Sequence, residues 1–480
     1  MKRTALLTGL WSIGESWGVR IVSAVVFLLL ARLIEPAAIG LAALAQVYLV
    51  VVQTLCDQGI TTALIQRENL EEGHKDSAFW ANFAVGVILM VLTILFAGPL
   101  ADLYGEPRLA SVLRWYSLAP LLASMSVVQA ALARRELRNR ALALRQTAGS
   151  LVGGLVGVGM AFAGMGVFAL VGQGLATQAI AVVILWKIAD WRPRFAFSRR
   201  HFMDLFGFSF NVLATDIIGI IGGHADRLLL GYFFGAADVG YYSVAQRLIS
   251  IVADFVGNGT YGTVLPLFSR IKNDGARVAR GLRTAQSTLT MIVIPAFVGL
   301  AVVTPSLLWV GLGERWDPSV LPAQIFAFAS IASWLGFFFG HVITALGHPV
   351  VRLGVVFARS LTQVVLILVG VRYGIAGVAL GAAATQIIFY GVELTVLRRM
   401  VQFSVPSYLG EALKPGLATA AMAAAVVHLE RYYGGDRSLL PLATEVVLGM
   451  AVYGAVLLAF ARMRVRQLVD LAWQLKGSTS

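Results

Sequence analysis

The chain has 480 residues, 58% hydrophobic and only 13% charged, with a mean hydropathy of +0.79. About a quarter of a soluble domain is normally charged, so the composition excludes an ordinary water-soluble protein and indicates a polytopic membrane protein. The net charge of +13 has to be set against loop position before nucleic acid is considered, and the single cysteine, Cys56, excludes an intrachain disulfide framework or a cysteine metal cluster.

Lys2 and Arg3 precede an apolar stretch that runs to about Arg32. That is longer than the roughly 7–15-residue core of a cleaved signal, so it reads as a retained first span. A membrane helix needs about 20 predominantly apolar residues to cross about 30 Å of hydrocarbon. Fourteen stretches meet this, near 6–31, 38–64, 78–100, 110–133, 143–164, 167–187, 206–234, 239–265, 286–311, 320–346, 351–371, 375–397, 409–428 and 440–461. The apolar runs are continuous rather than alternating, which predicts helices and not barrel strands. The expected fold class is an all-α polytopic membrane protein.

Short cytoplasmic loops hold Lys and Arg, and loops on the other side are poor in them. With the N-terminus inside, 27 of the 38 cations fall in cytoplasmic loops, seven fall outside and four lie within spans. Both termini are therefore expected in the cytoplasm. The basic surplus is a topology signal, and no nucleic-acid partner is expected.

Residues 31–65 laid on 231–265 repeat Ala37, Gly40, Ala45, Gln46, Val52 and Gly59 as Ala237, Gly240, Ala245, Gln246, Val252 and Gly259. A second echo repeats Gly166, Ala176, Thr177, Gln178 and Ile180 as Gly374, Ala384, Thr385, Gln386 and Ile388. Six crossings restore chain direction, so the halves should be parallel repeats. The expected division is a six-helix bundle over 1–188, a cytoplasmic linker over 189–205, a second bundle over 206–399, and two further helices with a cytoplasmic tail over 400–480.

Four arginines lie inside apolar spans, namely Arg20, Arg227, Arg247 and Arg359. Each costs about 2.5–3.5 kcal/mol at a central position unless it meets water, a partner or a ligand. Glu15, Asp216, Asp226, Asp254 and Glu393 are available for internal pairing, and that alternative stands beside a shared cationic cavity. In the eighth span Ser243, Arg247, Ser250, Asp254, Asn258 and Tyr261 follow helical spacing and share one face, the pattern of a hydrated cavity wall or of a hydrogen-bonded interior helix. Gly219, Gly222 and Gly223 in the seventh span suggest a bend or a close packing contact. Pro295 and Pro305 are expected to kink the ninth. Gly153, Gly154, Gly157 and Gly159 suggest a packing seam.

No Gly-Lys pair occurs, so there is no Walker A phosphate loop. No Asp-x-Asp and no His-Glu-x-x-His occur, and no metal site is expected. Glu71 and His74 have a Glu-x-x-His spacing that reads as a solvated turn in a charged loop.

The stretches ARLIEPAAIGLAALAQ (31–46), DQGITTALIQR (57–67), AFWAN (78–82), GYYSVAQRL (240–248), VLPLFSRIKND (264–274) and LGERWDPS (312–319) resemble bacterial polysaccharide transporters. These are the Wzx-type oligosaccharide flippases of the multidrug/oligosaccharidyl-lipid/polysaccharide superfamily, and the resemblance runs from about residue 4 to 460. It implies two six-helix bundles in a V plus two C-terminal helices, about 14 spans in all. The first, second, seventh and eighth spans would line a cationic central cavity. It also implies a substrate, an undecaprenyl-diphosphate-linked oligosaccharide turned from the cytoplasmic to the periplasmic leaflet of the inner membrane by alternating access.

Arg20 and Arg247 occupy spans that carry cavity arginines in the related lipid II flippases, which makes them the first candidates for the diphosphate. Arg227 and Arg359 follow. A guanidinium fork suits phosphate oxygens. Gln46, Gln53, Ser243, Ser250, Asn258 and Tyr261 are the expected polar lining that meets sugar. Glu15, Asp216 and Asp254 are candidates for coupling to a proton or Na+; no other cofactor is expected. Membrane lipids, a polysaccharide polymerase and glycosyltransferases are the expected partners of a monomeric transport unit. The chain is not expected to be an enzyme. An ion-coupled multidrug exporter of the same superfamily is the first rival. A membrane-embedded glycan polymerase or ligase is the second, and it would want a larger extracytoplasmic loop than this sequence has.

Overall fold

The structure is a computed structural model, and it describes residues 18, 20–57, 60–67, 69–257, 274–401, 403–434 and 437–478. Among these residues the regular structure is helical throughout, with no strand. The expected positions Glu15, Asn258 and Tyr261 lie outside the described residues, and so does the side chain of Asp216.

In chain order the helices are α1 (20–33), α2 (Pro36–Asp57), α3 (Ile60–Gln66), α4 (Glu72–Leu103), α5 (Pro107–Tyr116), α6 (Leu118–Ser124), α7 (Val127–Arg135), α8 (Asn139–Phe162), α9 (Val167–Ile188), α10 (Arg199–Phe234) and α11 (Ala236–Gly257). They continue with α12 (Gly275–Leu312), α13 (Val320–Leu335), α14 (Phe337–Ala345), α15 (Pro349–Gly370), α16 (Gly374–Val401), α17 (Val405–Gly410), α18 (Leu413–Tyr432) and α19 (Leu439–Ser478).

Among the described residues ten helical ranges are long and apolar enough to cross a membrane, the longest, Val350–Val401, covering two of the expected spans. The chain is a multi-pass membrane protein. Its outward faces fit that solvent: Ile88, Leu92, Leu95 and Phe96 of α4 and Val350, Phe357, Leu361 and Val369 of α15 are large, apolar and exposed. In water such faces would drive aggregation, whereas acyl chains accept them.

Among the described residues, two of the expected spans are broken near their middle, and the span at 409–428 is interrupted near its start, at 411–412. The stretch 110–133 is divided among α5, α6 and α7, with joints at Ser117 and at Met125–Ser126. Ser117 Oγ donates to the Arg114 carbonyl at 2.6 Å, Ser124 Oγ to Leu121 at 2.7 Å and Ser126 Oγ to Ala123 at 3.0 Å. Hydroxyls that bond back to the previous turn compete with the helical ladder. The stretch 320–346 breaks at Gly336, between α13 and α14. Conversely, α12 runs through Pro295 and Pro305, and α10 runs through Gly219, Gly222 and Gly223. A methyl group built on Gly219 or Gly223 would meet nothing within 4 Å, so neither glycine marks a packing contact. Gly153 and Gly157 do: a methyl group on either would strike Thr177 or Gln173 of α9.

Helix starts are set by side chains. Ser198 Oγ accepts the His201 amide at 3.4 Å to open α10, so the last residues of the expected linker are already helical. Asp274 Oδ1 accepts the Arg277 amide at 3.0 Å, which starts α12 eleven residues before the apolar span at 286–311.

The chain groups into two compact units, Ile21–Ser243 on one hand and Met1–Arg20 with Val244–Ser480 on the other. The first has a core of Leu64, Ala78, Phe79, Val128, Ala131, Trp191 and Leu205. Phe79 lies edge-to-face with Trp80, Trp186 and Trp191 there. In the second, Phe339 stacks on Tyr390, and buried Tyr408 donates to Gln286 Oε1 at 2.8 Å.

The backbone repeats as the sequence does. Positive φ occurs at Gly105 and Gly313, at Leu137 and Gly347, and at Gly166 and Gly374. The three pairs are separated by 208, 210 and 208 residues, so the same turns follow the same helices twice.

Candidate functional site

Helix α11 carries the polar stripe. Ser243, Arg247, Ser250 and Asp254 are four, three and four residues apart, which aligns them on one face. Arg247 is half-buried and Nη1 donates to Ser250 Oγ at 3.3 Å, while Ser250 Oγ donates to the Arg247 carbonyl at 2.8 Å. Two turns on, Arg20 of α1 reaches Asp254. Its Nη1 donates to the Asp254 carbonyl oxygen and stands 3.8 Å from Oδ1, with side-chain exposures of 28% and 53%. Arg20, Arg247, Ser250 and Asp254 are thus gathered along one helix, and the acid named as an available partner has an arginine beside it.

The other two arginines are on other helices. Arg227 is on α10, where Asp226, 2% exposed, accepts the Arg227 amide at 2.8 Å and the Tyr242 hydroxyl at 2.7 Å. Arg359 is on α15 in the unit that contains Val244–Ser480. Its Nη2 is 2.9 Å from Glu393 Oε1 of α16, and its guanidinium lies 5.6 Å from the Phe389 ring centre. This pair borders a pocket of about 220 Å³ with Ser333, His341, Arg352, Gln386 and Tyr390 in its wall. Internal pairing, the alternative that the sequence left open, is the arrangement at Arg359.

Of the expected sugar-facing amides, Gln46 is exposed on α2 between buried Ala45 and Val47, and Gln53, two turns on, is half-buried.

Sequence reasoning missed three buried polar groups. Glu445 of α19 is 2% exposed and accepts from Ser306 Oγ at 3.5 Å; Glu411, 4% exposed, accepts from Arg283 Nε at 2.7 Å. Their partners lie 139 and 128 residues away, so no local spacing announces them. The third group is at Glu71 and His74. The expected solvated turn is corrected: His74 is 1% exposed, because the start of α10 covers it.

A second pocket of about 560 Å³ lies where the turn at 136–138 and the segment 190–194 meet the start of α4, with Lys75, Gln129 and Trp191 also in its wall. The Asp190 carboxylate, hydrogen-bonded to Arg138, and Glu136 beside it hold the Arg138 guanidinium above its ordinary pKa.

A profile of the polysaccharide biosynthesis protein family matches residues 29–321. The succinoglycan biosynthesis transport protein ExoT of Rhizobium meliloti (strain 1021) is 26% identical over 472 residues, covering 96% of this chain and 94% of its own. The lipopolysaccharide biosynthesis protein WzxC of Escherichia coli (strain K12) is 25% identical over 364 residues, or 75% of this chain and 74% of its own. Among solved structures, the lipid II flippase MurJ in its inward closed conformation superposes with a TM-score of 0.74 at 16% identity, covering 95% of this chain and 99% of that one. The fold is therefore of the MurJ type. With the profile spanning more than half of its length, this chain belongs to the polysaccharide biosynthesis protein family.

Proposed function

We propose that this protein is a flippase that carries an undecaprenyl-diphosphate-linked oligosaccharide from the cytoplasmic to the periplasmic leaflet of the inner membrane, for export of a cell-surface or extracellular polysaccharide. The reading is supported by the names of its relatives, which include a transport protein of succinoglycan biosynthesis, and by its MurJ-type fold. The observation that carries it is the stripe on α11, where Arg20 and Arg247 flank two turns of helix ending at Asp254. A diphosphate with about two negative charges cannot cross hydrocarbon unaided, and guanidinium groups bind phosphate oxygens through paired donors. Only the head group needs this polar path, since the isoprenoid tail is at home in lipid.

In the same proposal the six-helix halves over 1–188 and 206–399, joined by 189–205, alternate access, and both termini face the cytoplasm. Gln46, Gln53, Ser243, Ser250, Asn258 and Tyr261 meet the sugars. Arg227 and Arg359 are auxiliary cations. Glu15, Asp216 and Asp254 are the sites at which a proton or Na+ would couple. Asp254 is favoured among them, because an acid that shares an arginine with an incoming phosphate has its own charge balance altered when the substrate binds. The transport unit is one chain, working beside a polymerase and glycosyltransferases.

Reconstitution tests this. Liposomes containing the protein and a fluorescent undecaprenyl-diphosphate oligosaccharide should exchange the lipid between leaflets. Arg20→Ala with Arg247→Ala should lower the rate at least 100-fold, and each Arg→Lys change should lower it less. Unchanged exchange in the double variant would remove the proposed diphosphate site.

A further inference from the structure

We propose a divalent transition-metal site, of the zinc type, where α4 and α10 begin. Each helix offers two side chains one turn apart, Glu71 with His74 and His201 with Asp204. Glu71 Oε2 is 3.3 Å from His201 Nε2, and Asp204 Oδ2 is 3.6 Å from His74 Nε2. The two imidazole rings meet edge-on with centres 4.4 Å apart. One ligand atom each from Glu71, His74 and His201 fall within 4.8 Å of one another, a spread that a small closure brings to a single coordination sphere.

Two observations point to a ligand rather than to ordinary packing. His74 is 1% exposed, yet the carboxylate that its Nε2 faces, Asp204, stands at 3.6 Å, beyond a good hydrogen bond, and His201 Nδ1 is buried with no partner. Buried polar atoms are nearly always satisfied, so two on one ring pair require an explanation. Gly73 supplies the room: a methyl group there would lie 2.5 Å from His201 Nδ1, so any larger residue would push that ring off the first turn of α4.

The donor set selects the metal. Two imidazoles with one or two carboxylates suit Zn2+ and its neighbours, whereas Mg2+ and Ca2+ prefer oxygen donors alone. Glu71 and Asp204 together bring two negative charges, and Arg67, 3.2 Å from Asp204 Oδ2, offsets one of them. As it stands, the Glu71 amide donates to His74 Nδ1 at 3.2 Å, which puts the neutral ring's proton on Nε2. A metal taken at Nε2 moves that proton to Nδ1 and breaks the amide contact, so occupancy re-forms the first turn of α4 with no net loss of a proton from the ring. The bound ion would fasten the end of the connection at 189–198 to α4.

The test uses the full-length protein in detergent, with any affinity tag removed and metals stripped by chelation. After incubation with Zn2+ and gel filtration, mass spectrometry should find one zinc per chain. Thermal unfolding should shift upward with Zn2+ and not with Mg2+. Glu71→Gln and His201→Asn, both on partly exposed side chains, should each weaken Zn2+ binding at least ten-fold while leaving the metal-free unfolding temperature within a few degrees of the parent. His348→Gln with His428→Gln, remote in sequence, should bind as the parent does. A parent protein that retains no more zinc than the Glu71→Gln/His201→Asn double variant would overturn the proposal. Neither readout depends on lipid transport.

Discussion

Gly40 and Gly240 are packed reciprocally. A methyl group on Gly40 would lie 1.7 Å from the carbonyl oxygen of Ala236, and one on Gly240 would lie 2.0 Å from that of Pro36. Both the glycines and the residues that they face are 200 positions apart, so α2 and α11 cross in a local two-fold arrangement made from corresponding residues of the two repeats. Small residues are what allow backbones to approach this closely inside a membrane. Gly40→Leu or Gly240→Leu should therefore cost on the order of 3 kcal/mol, seen as a fall in the thermal unfolding temperature in detergent. The two substitutions should have like effects because the contact is symmetric. The same change at Gly219, which has open space beside it, should be tolerated.

Leu137 has φ 54° and an exposed side chain, while its counterpart in the second repeat is Gly347. The left-handed region costs a residue with a Cβ about 1–2 kcal/mol, partly offset when glycine loosens the unfolded chain. Leu137→Gly should raise stability by about 0.5–1 kcal/mol. An unchanged or lower unfolding temperature would count against strain at this turn.

The Arg359–Glu393 pair is unequal in burial, 39% against 12% exposed. Arg359→Met should leave the more buried carboxylate without its partner and destabilise the protein by about 1–3 kcal/mol. Adding Glu393→Gln should recover much of that loss, because removing both charges is easier on the fold than removing one. Comparing unfolding temperatures of the two single variants and the double variant measures the coupling. Additive effects would mean that the ion pair contributes nothing.

Tyr242 is fully buried and its hydroxyl donates a hydrogen bond to Asp226. Tyr242→Phe should cost about 1.5–3 kcal/mol, the range for a hydrogen bond to a charged group. Asp226→Asn introduced beside it should restore part of the stability, since a neutral amide tolerates the lost donor better than a carboxylate does. A double variant that is less stable than Tyr242→Phe alone would contradict this reading.

The long apolar helices were legible in the sequence because 20 successive apolar residues have few other uses, and the repeat was legible because Gly166 and Gly374 mark the same backbone turn. The joints at Ser117, Ser126 and Gly336 were not, since a serine or glycine within an apolar run is as often a packing contact as a break. Arg359 and Glu393 could be named as available charges, but with 34 residues between them their pairing needed the packing of α15 on α16. For His74 the spacing from Glu71 was visible and the environment was not. Its burial depends on α10, whose first turn lies more than 120 residues further on. Arg20 and Asp254 are separated by 234 residues and share no pattern; only the fold brings them together.

The connection leading into α10 is held at several points on α4. Asp76 Oδ1 accepts the Arg194 amide at 3.0 Å, Trp80 Nε1 donates to the Arg194 carbonyl at 2.6 Å, and Ser77 Oγ accepts the Ser198 amide at 2.9 Å. Slack in this segment is therefore scarce, and a residue added to it or removed from it would have to be absorbed by breaking one of these bonds. The head of α10 and the first turns of α4, far apart in the chain, are thereby tied as one piece.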